Sequence, residues 1–134
     1  MSQENVEAVR AVYDEWKKGN FRAGVDLFDR RAMFIFHGAP DFDETGYAVG
    51  PEALAEYMRK WIEPWKRLTI SAEEFIEAEA SVMVVARQRG AGQESGLSVD
   101  LLQFQVWSFR GPKVIRLEGF LDRSEALEAV GLSE

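Results

Sequence analysis

The stretch SVDLLQFQVWSFRGPKVIRLEGFL, residues 98–121, decides the fold of this chain. Two runs rich in β-branched and aromatic residues flank a Gly-Pro turn, a pattern that predicts a long antiparallel hairpin. Alternate residues of the first run point to opposite faces of the strand, and one face carries Gln103, Gln105 and Trp107. Because buried amides need hydrogen-bond partners, we expect this face to line a ligand-binding cavity dotted with polar groups.

The opposite face of the same strand carries an apolar row, Leu102, Phe104 and Val106. A contiguous apolar patch on a small acidic protein is usually covered by another surface. We therefore predict a homodimer whose interface is the outer face of the hairpin.

The composition limits the class of protein and the kinds of partner. The chain has 134 residues, 46% of them hydrophobic, which predicts one globular domain spanning residues 1–134. A net charge of −7 argues against nucleic acid or an anionic membrane as a partner. The sequence has no cysteine, no leader pattern and no apolar run of membrane-spanning length, so we expect a cytoplasmic protein. With a single histidine and no glycine-rich phosphate motif, neither a metal ion nor a cofactor is expected.

Periodicity elsewhere in the chain predicts the remaining elements. Apolar residues at helical spacing indicate a long first helix, which ends at Gly19, and a third helix, which begins at Pro51. A short second helix is expected after Asn20, and a last one over residues 122–130. Three strands are expected in addition to the hairpin, at residues 33–36, 68–78 and 82–89. The result is an α+β fold, in which a strongly curved antiparallel sheet wraps around the first helix as a cone with a pocket at its wide end.

The segment between the first strand and the third helix, residues 38–50, has several glycines and few aliphatic anchors. A connection of this length is more typical of a functional loop than of a simple link. We expect it to be mobile, to cover the entrance of the cavity and to bring Tyr47 to the ligand.

Several segments resemble the SnoaL-like branch of the nuclear transport factor 2-like superfamily. The resemblance spans nearly the whole chain and is carried by ENVEAVRAVY at 4–13, the Gly-Asn-Phe pattern at 19–21, VGPEA at 49–53, VWSF at 106–109 and DRSEALEAVGL at 122–132. It implies the cone-shaped fold and a pocket for a small molecule. The family contains polyketide cyclases, ketosteroid isomerase, epoxide hydrolases and dehydratases, so the resemblance leaves the reaction open.

The residues that catalyse in the family are only partly matched. Ketosteroid isomerase-like members use an aspartate base where this chain has Phe36, and two oxygen-binding donors that align near Val12 and Gln105. Of these three positions only Gln105 can still donate a hydrogen bond, so steroid isomerisation by that route is not expected. SnoaL-like cyclases place an acid/base aspartate at a position that corresponds to Asp122. The alternative for Asp122 is a capping box with Glu125 at the start of the last helix.

Three further side chains are candidates from their positions in the predicted strands. His37 ends an apolar strand, and histidine titrates near neutral pH without help, so it is a candidate acid/base. The alternative for His37 is a hydrogen-bonded structural role. Arg87 and Arg89 share one face of their strand and would bind a ligand carboxylate or phenolate if that face is concave. On a convex face they would be solvated or paired with Asp100 or Glu118.

The residues are compatible with two functions. In the first, the protein binds a small, apolar, polyketide- or steroid-like molecule and catalyses proton transfer as an isomerase, cyclase or dehydratase. His37 or, as the second candidate, Asp122 would then be the acid/base, and Gln105 and an arginine would polarise an oxygen of the ligand. The alternative is a non-catalytic ligand-binding or dimerisation module with the same fold.

Overall fold

The computed structural model of the chain describes residues 2–37 and 46–132, apart from the side chains of Tyr47 and Trp61. The ligand contact predicted for Tyr47 and residues 38–45 of the covering loop predicted for residues 38–50 therefore lie outside the described residues. In chain order the elements are α1 (Gln3–Lys17), β1 (Phe28–Phe36), β2 (Gly46–Val49), α2 (Pro51–Ile62), β3 (Trp65–Glu77), β4 (Ser81–Gly92), β5 (Ser98–Arg110), β6 (Lys113–Phe120) and α3 (Arg123–Ala129).

In the described part of the chain, six strands form one open sheet in the order β2-β1-β6-β5-β4-β3. Strands β3 to β6 follow one another as an antiparallel meander, and the β5–β6 pair confirms the hairpin predicted for residues 98–121. Strands β1 and β6 are parallel neighbours, so the sheet is mixed and not entirely antiparallel. Helices packed against this sheet confirm the α+β class, and the arrangement is consistent with a cone.

The segment between α1 and β1 consists of turns and one 3-10 turn, Val25–Leu27, and not of the second helix predicted from the sequence. Gly24 in this segment has a left-handed φ of 91°. A Cβ atom at Gly24 would lie 2.8 Å from Cγ2 of Val12 on α1. Because glycine tolerates both the positive φ and the close approach, the segment lies directly against α1.

Strand boundaries also differ from the prediction. Strand β1 begins at Phe28 and not at Met33. The prediction missed this start because the polar residues 29–31 obscure the alternation of the strand. Residues 46–49, predicted as loop, form β2 along the end of β1. Strand β4 continues to Gly92, beyond the predicted end at residue 89. In each case the pairing with a neighbouring strand decides the conformation, and the residues of one strand alone do not reveal that pairing.

The two faces of the sheet are covered by different helices. Helix α1 lies against the inner face, where its buried residues Tyr13 and Trp16 pack with Trp107. Helix α3 lies against the outer face, where Leu127 packs in a cluster with Phe104. Here the inner face is the one that carries Trp107, and the outer face is the one that carries Phe104.

The row Leu102, Phe104 and Val106, predicted as an exposed dimer surface, is covered within the chain. Phe104 and Val106 are buried in a cluster with Leu127 of α3, and Leu102 packs at the edge of this cluster. The expectation of an exposed apolar patch is therefore wrong, because the last helix supplies the cover. The homodimer stays a prediction, but the row Leu102, Phe104 and Val106 no longer supports it.

Among the helices of the described residues, none is long and apolar enough to cross a membrane.

Candidate functional site

Two adjoining cavities open beside α1, α2 and the inner face of the sheet. The larger, here called the cleft, has a volume of about 1140 Å³ and lies between α2 and the segment that joins α1 to β1. The smaller, here called the inner chamber, has a volume of about 30 Å³ and reaches β5 and β6. Trp16, Met58 and Leu117 line both cavities, so the chamber lies next to the cleft.

The cleft is mostly apolar, although charged residues such as Glu52, Arg59 and Glu63 also line it. On α2, Leu54, Met58 and Ile62 line it, and their spacing of four residues places them on one side of the helix. Phe21 and Phe28 contribute aromatic rings from the opposite wall. Small-molecule pockets typically enclose roughly 300–1,000 Å³, so the cleft is large enough for a ligand of several rings.

The amide side chains of β5 reach the inner chamber, in keeping with the alternation of that strand. Gln103 and Gln105 line the chamber beside the ring of Phe34. Trp107, two residues further along the same face, is fully buried in the core. Its ring packs there against Tyr13 at 5.8 Å between ring centroids. The amides therefore form the wall of the chamber, and Trp107 lies behind them.

A hydrogen-bonded relay connects these side chains from the core to β4. The indole N–H of Trp107 donates to the hydroxyl oxygen of Tyr13 at 2.9 Å. Tyr13 donates to Oε1 of Gln105, whose Nε2 donates to Oε1 of Gln103 at 3.2 Å. Gln103 in turn donates to Oε1 of Gln88, a residue of β4 that is only 1% exposed. These five side chains are called the relay below.

The direction of the relay is determined at its Trp107 end. An indole nitrogen can only donate, so the oxygen of Tyr13 accepts and its hydroxyl hydrogen turns to Gln105. Each amide then accepts at its oxygen and donates from its nitrogen to the next residue. The relay therefore ends in a donor, the Nε2 group of Gln88.

Burial keeps the hydroxyl of Tyr13 neutral. Desolvation raises the pKa of Tyr13 far above its ordinary value, and the hydrogen bond from Trp107 offsets only part of this rise. The Tyr13 ring also meets Trp16 edge-on, with 4.9 Å between centroids, and this contact helps to hold the hydroxyl in place. Tyr13 therefore acts as a neutral donor and acceptor.

Two buried side-chain donors have no hydrogen-bond partner among the described residues: Nε1 of Trp16 and Nε2 of Gln88. Trp16 is 4% exposed and lines both the cleft and the inner chamber. Gln88 lies at the end of the relay, next to Gln103. Buried donors without a partner are uncommon and costly.

His37 lies on the outer face, not with the amides of the relay. Its Nε2 is 2.9 Å from Oε2 of Glu118, and its ring stacks on Phe120 with 4.5 Å between centroids. Glu118 also pairs with Nε of Arg116 at 2.8 Å, so one carboxylate holds an imidazole and a guanidinium. Phe36, the residue before His37, lines the inner chamber. The alternation of β1 therefore turns His37 to the opposite side of the sheet.

Asp122 caps the last helix. Its carboxylate accepts a hydrogen bond from the backbone N–H of Ser124 at 3.1 Å, at the N-terminus of α3. This geometry is the capping alternative derived from the sequence, and it leaves the side chain of Asp122 exposed.

Arg87 and Arg89 lie on the outer face in exposed ion pairs. Arg87 contacts Glu73 and Asp100, each at 2.7 Å, and Arg89 contacts Asp100 at 3.3 Å. The hydrogen bonds from Arg87 hold the pKa values of Glu73 and Asp100 below their ordinary range. Both guanidinium groups are thus on the face opposite the relay, and the pair with Asp100 is one of the alternatives weighed from the sequence.

Three residues of the site are not identified by the sequence in this role. The helical spacing of Tyr13 and Trp16 predicts core positions, although the hydroxyl or the indole N–H at the tip of such a side chain could reach the cavity. Gln88 is not singled out because it stands between two arginines. The signal for Gln88 is its spacing, since it continues the inner-facing series of β4 that begins at Val82.

Comparisons with known proteins identify relatives of the whole fold. A family model described as the SnoaL-like domain matches residues 9–117, and none of the curated proteins matches the chain. A structure from Jannaschia sp. CCS1, provisionally named a SnoaL-like polyketide cyclase, is 22% identical, with a TM-score of 0.76 over 100% of this chain and 98% of that one. A nuclear transport factor 2-like protein of unknown function from Burkholderia pseudomallei is 19% identical, with a TM-score of 0.76 over 97% and 98% of the two chains. TerC, co-crystallised with polyporic acid, is 19% identical, with a TM-score of 0.75 over 96% and 98%.

Proposed function

The chain belongs to the SnoaL-like domain family, and from that premise we propose that it binds a small, largely apolar molecule of the polyketide or steroid kind. The rings of the ligand would lie in the cleft, and one edge would reach the inner chamber. The observation that carries this proposal is the pair of neighbouring cavities: a mostly apolar cleft of about 1140 Å³ and, beside it, a small chamber lined by amides.

The apolar wall supplies the affinity in this proposal. Each methylene-sized group moved from water into an apolar site contributes about 0.8 kcal/mol, so a ligand with two fused rings is enough for measurable binding. The relative TerC was co-crystallised with polyporic acid, which supports a small-molecule ligand for a protein of this fold.

The polar groups at the chamber suit binding better than proton transfer. Amides and an indole donate and accept hydrogen bonds without a change of charge, and the hydroxyl of Tyr13 is held neutral. The proton-transfer roles predicted for His37 and Asp122 would have to operate elsewhere, since these residues lie on the outer face and at the start of α3. Ligand binding therefore comes before catalysis in the proposal, and polarisation of a ligand oxygen is what the chamber would add to a reaction.

Two alanines of α2 allow a matched test. Ala53 and Ala55 are both exposed, and of the two only Ala55 is among the described residues that line the cleft. In Ala55→Trp the new indole ring would fill part of the cleft, whereas in Ala53→Trp the same ring would stand outside it. Indene, a bicyclic hydrocarbon, is the probe, and its affinity is measured by protein NMR titration.

We expect saturable binding of indene to the wild type and to Ala53→Trp, and binding at least about tenfold weaker to Ala55→Trp. The loss follows from the displaced apolar contact area. Thermal unfolding of the two variants checks that the fold is equally intact. Wild-type protein that binds no indene, or an equal loss in both variants, would overturn the proposal.

A further inference from the structure

Strand β3 forms one edge of the sheet, and in the described part of the chain it has a strand neighbour on one side only. It runs for 13 residues, Trp65–Glu77, whereas β2 at the opposite edge has 4. An edge presents backbone N–H and C=O groups that another strand can pair with, and most proteins keep such edges short. The charged side chains along β3, among them Lys66, Arg67, Glu73 and Glu74, are exposed. The length of this edge makes it a candidate interaction surface.

The sequence of β3 is complementary to itself when two copies run antiparallel with Ile70 opposite Ile70. Residues at equal distances before and after Ile70 then face each other across the two strands. The pairs formed in this way match in chemical character: Trp65 with Phe75, Lys66 with Glu74, Arg67 with Glu73, Leu68 with Ala72, and Thr69 with Ser71. We propose that the β3 edge binds the β3 edge of a second copy of this chain, so that two sheets join into one continuous sheet.

Other alignments of the two edges lack this match. If the two-fold axis moves by one residue to Ser71, Lys66 faces Ile76 and Arg67 faces Phe75. A parallel pair in register would place every charge opposite an identical charge, which is destabilising. Charged residues usually protect an edge from pairing with any strand. Along β3 the order of the charges, basic first and acidic later, instead favours one partner in one register.

The irregularities of β3 are arranged with nearly the same symmetry. The register of β3 against β4 shifts between Lys66 and Thr69, and again between Ala72 and Glu74. These two shifts lie at similar distances from Ile70, one on each side. A bulge bends and twists its strand, so in the proposed pair the bends of one strand would lie opposite the bends of the other. The regular stretch around Ile70 would meet its own copy.

The charges at the ends of this stretch are available to a partner. Within the described part of the chain neither Lys66 nor Arg67 makes an ion pair, and Glu74 makes only a long contact of 3.5 Å with Arg123. Two strand edges bring less surface together than a standard interface of roughly 1,200–2,000 Å². We therefore expect a dimer that dissociates in the micromolar range.

Two charge reversals test the surface, because each alone opposes like charges and the two together do not. In Lys66→Glu the dimer would place glutamates opposite each other at both ends, and in Glu74→Lys it would place lysines there. A heterodimer of the two variants would have opposite charges at both ends. Lys18→Glu and Glu128→Lys make the same changes of charge at exposed positions outside β3 and serve as controls. Sedimentation velocity from micromolar to millimolar concentration measures the association.

We expect the wild type to dimerise, and each β3 variant alone to associate at least about tenfold more weakly. An equimolar mixture of the two β3 variants should recover a dissociation constant within about threefold of the wild-type value. The two control variants, alone or mixed, should keep the wild-type constant.

Three results would overturn the proposal. A wild type that stays monomeric at about 0.5 mM would show that the charges and bulges of β3 only protect the edge. A dimer that neither β3 variant weakens would use another surface. Weakened variants whose mixture does not recover would show that the register centred on Ile70 is wrong. None of these results depends on a ligand, so the proposed function is tested separately.

Discussion

The relay on the inner face and the His37–Glu118 pair on the outer face are polar clusters of opposite character, built on the same part of the sheet. In β6, Glu118 points outward to His37, and the next residue, Gly119, lines the inner chamber. The relay is neutral and largely buried. The outer pair is ionisable, and the side chains of His37 and Glu118 are 35% and 11% exposed. The adjacent residues Glu118 and Gly119 of β6 therefore face two different environments, an ionisable one outside and a neutral one inside.

This difference in burial between the two clusters predicts which substitutions should affect stability and binding most. In the buried relay each group depends on its neighbours, because a donor or acceptor that loses its partner cannot turn to water. On the outer face, water and salt replace a lost partner at little cost. Substitutions on the inner face should therefore affect stability and binding more than equivalent substitutions on the outer face.

The largest effect is expected when the relay is broken in its middle. Gln103→Leu would leave Nε2 of Gln105 and Oε1 of Gln88 without partners. At roughly 1–3 kcal/mol for each of the two unsatisfied buried groups, the free energy of unfolding should fall by about 2–6 kcal/mol. Urea unfolding followed by circular dichroism measures the change.

Gln88→Leu is the control for position in the relay. It removes the donor that has no partner and leaves Nε2 of Gln103 in its place, so the number of unsatisfied donors is unchanged. We expect a clearly smaller loss of stability than for Gln103→Leu. Equal losses at the two positions would show that the amides contribute through volume alone, and that the relay is no cooperative unit.

An intermediate effect is expected from Tyr13 at alkaline pH. Burial raises its pKa in the folded state above the unfolded value of about 10. The unfolded chain therefore loses a proton that the folded chain keeps, and stability that is complete below pH 10 declines as the pH rises toward the folded pKa. The expected slope from this one group is about 1.4 kcal/mol per pH unit.

Urea unfolding of the wild type and Tyr13→Phe between pH 8 and 11 measures this slope. The variant should be less stable at pH 8, because Trp107 and Gln105 lose a partner, but its decline above pH 10 should be shallower. Parallel curves for the two proteins would mean that Tyr13 ionises in the folded state as readily as in the unfolded chain.

The smallest effect is expected from His37→Gln on the outer face. Glu118 keeps its ion pair with Arg116 in this variant, so the change in stability should stay within about 1 kcal/mol. The affinity for indene should equal that of the wild type, because the chamber lies on the other face. Weaker indene binding in this variant would contradict the separation of the two clusters.

The role of His37 as an acid/base stays a prediction that the same variant tests. If a substrate is identified and His37 transfers its proton, the turnover rate should fall by about 10²–10⁴-fold in His37→Gln. Full turnover in the variant would remove His37 from the mechanism.

Local sequence pattern was sufficient for the hairpin and for the faces of β5. The alternation from Gln103 to Trp107 is uninterrupted, and a Gly-Pro turn separates the two strands, so short-range rules apply. The same rules could not show that α3 covers Phe104, because this packing joins a helix to a strand that lies earlier in the chain. They give the faces of a strand without saying what lies against each.

The face on which His37 lies depends on a contact between distant parts of the chain. Strand β1 pairs in parallel with β6, and this register places Phe36 beside Gly119 in the chamber and His37 on the other side. No residue near His37 encodes that register, since parallel partners are joined only through the rest of the fold. For the same reason the sequence placed Arg87 and Arg89 on a defined face without showing whether that face is concave.

The parallel pairing of β1 with β6 also determines when the inner chamber forms during synthesis of the chain. Phe36 and Gly119 meet in the wall of the chamber although about eighty residues separate them in the chain. Closing so long a loop costs conformational entropy, which is recovered only when both strands dock. A chain emerging from the ribosome therefore has no chamber until β6 has been synthesised. A ligand that requires the chamber would bind only the folded chain with its completed sheet. Because such a ligand stabilises the folded state by mass action, a higher ligand concentration would make the protein more resistant to unfolding and proteolysis.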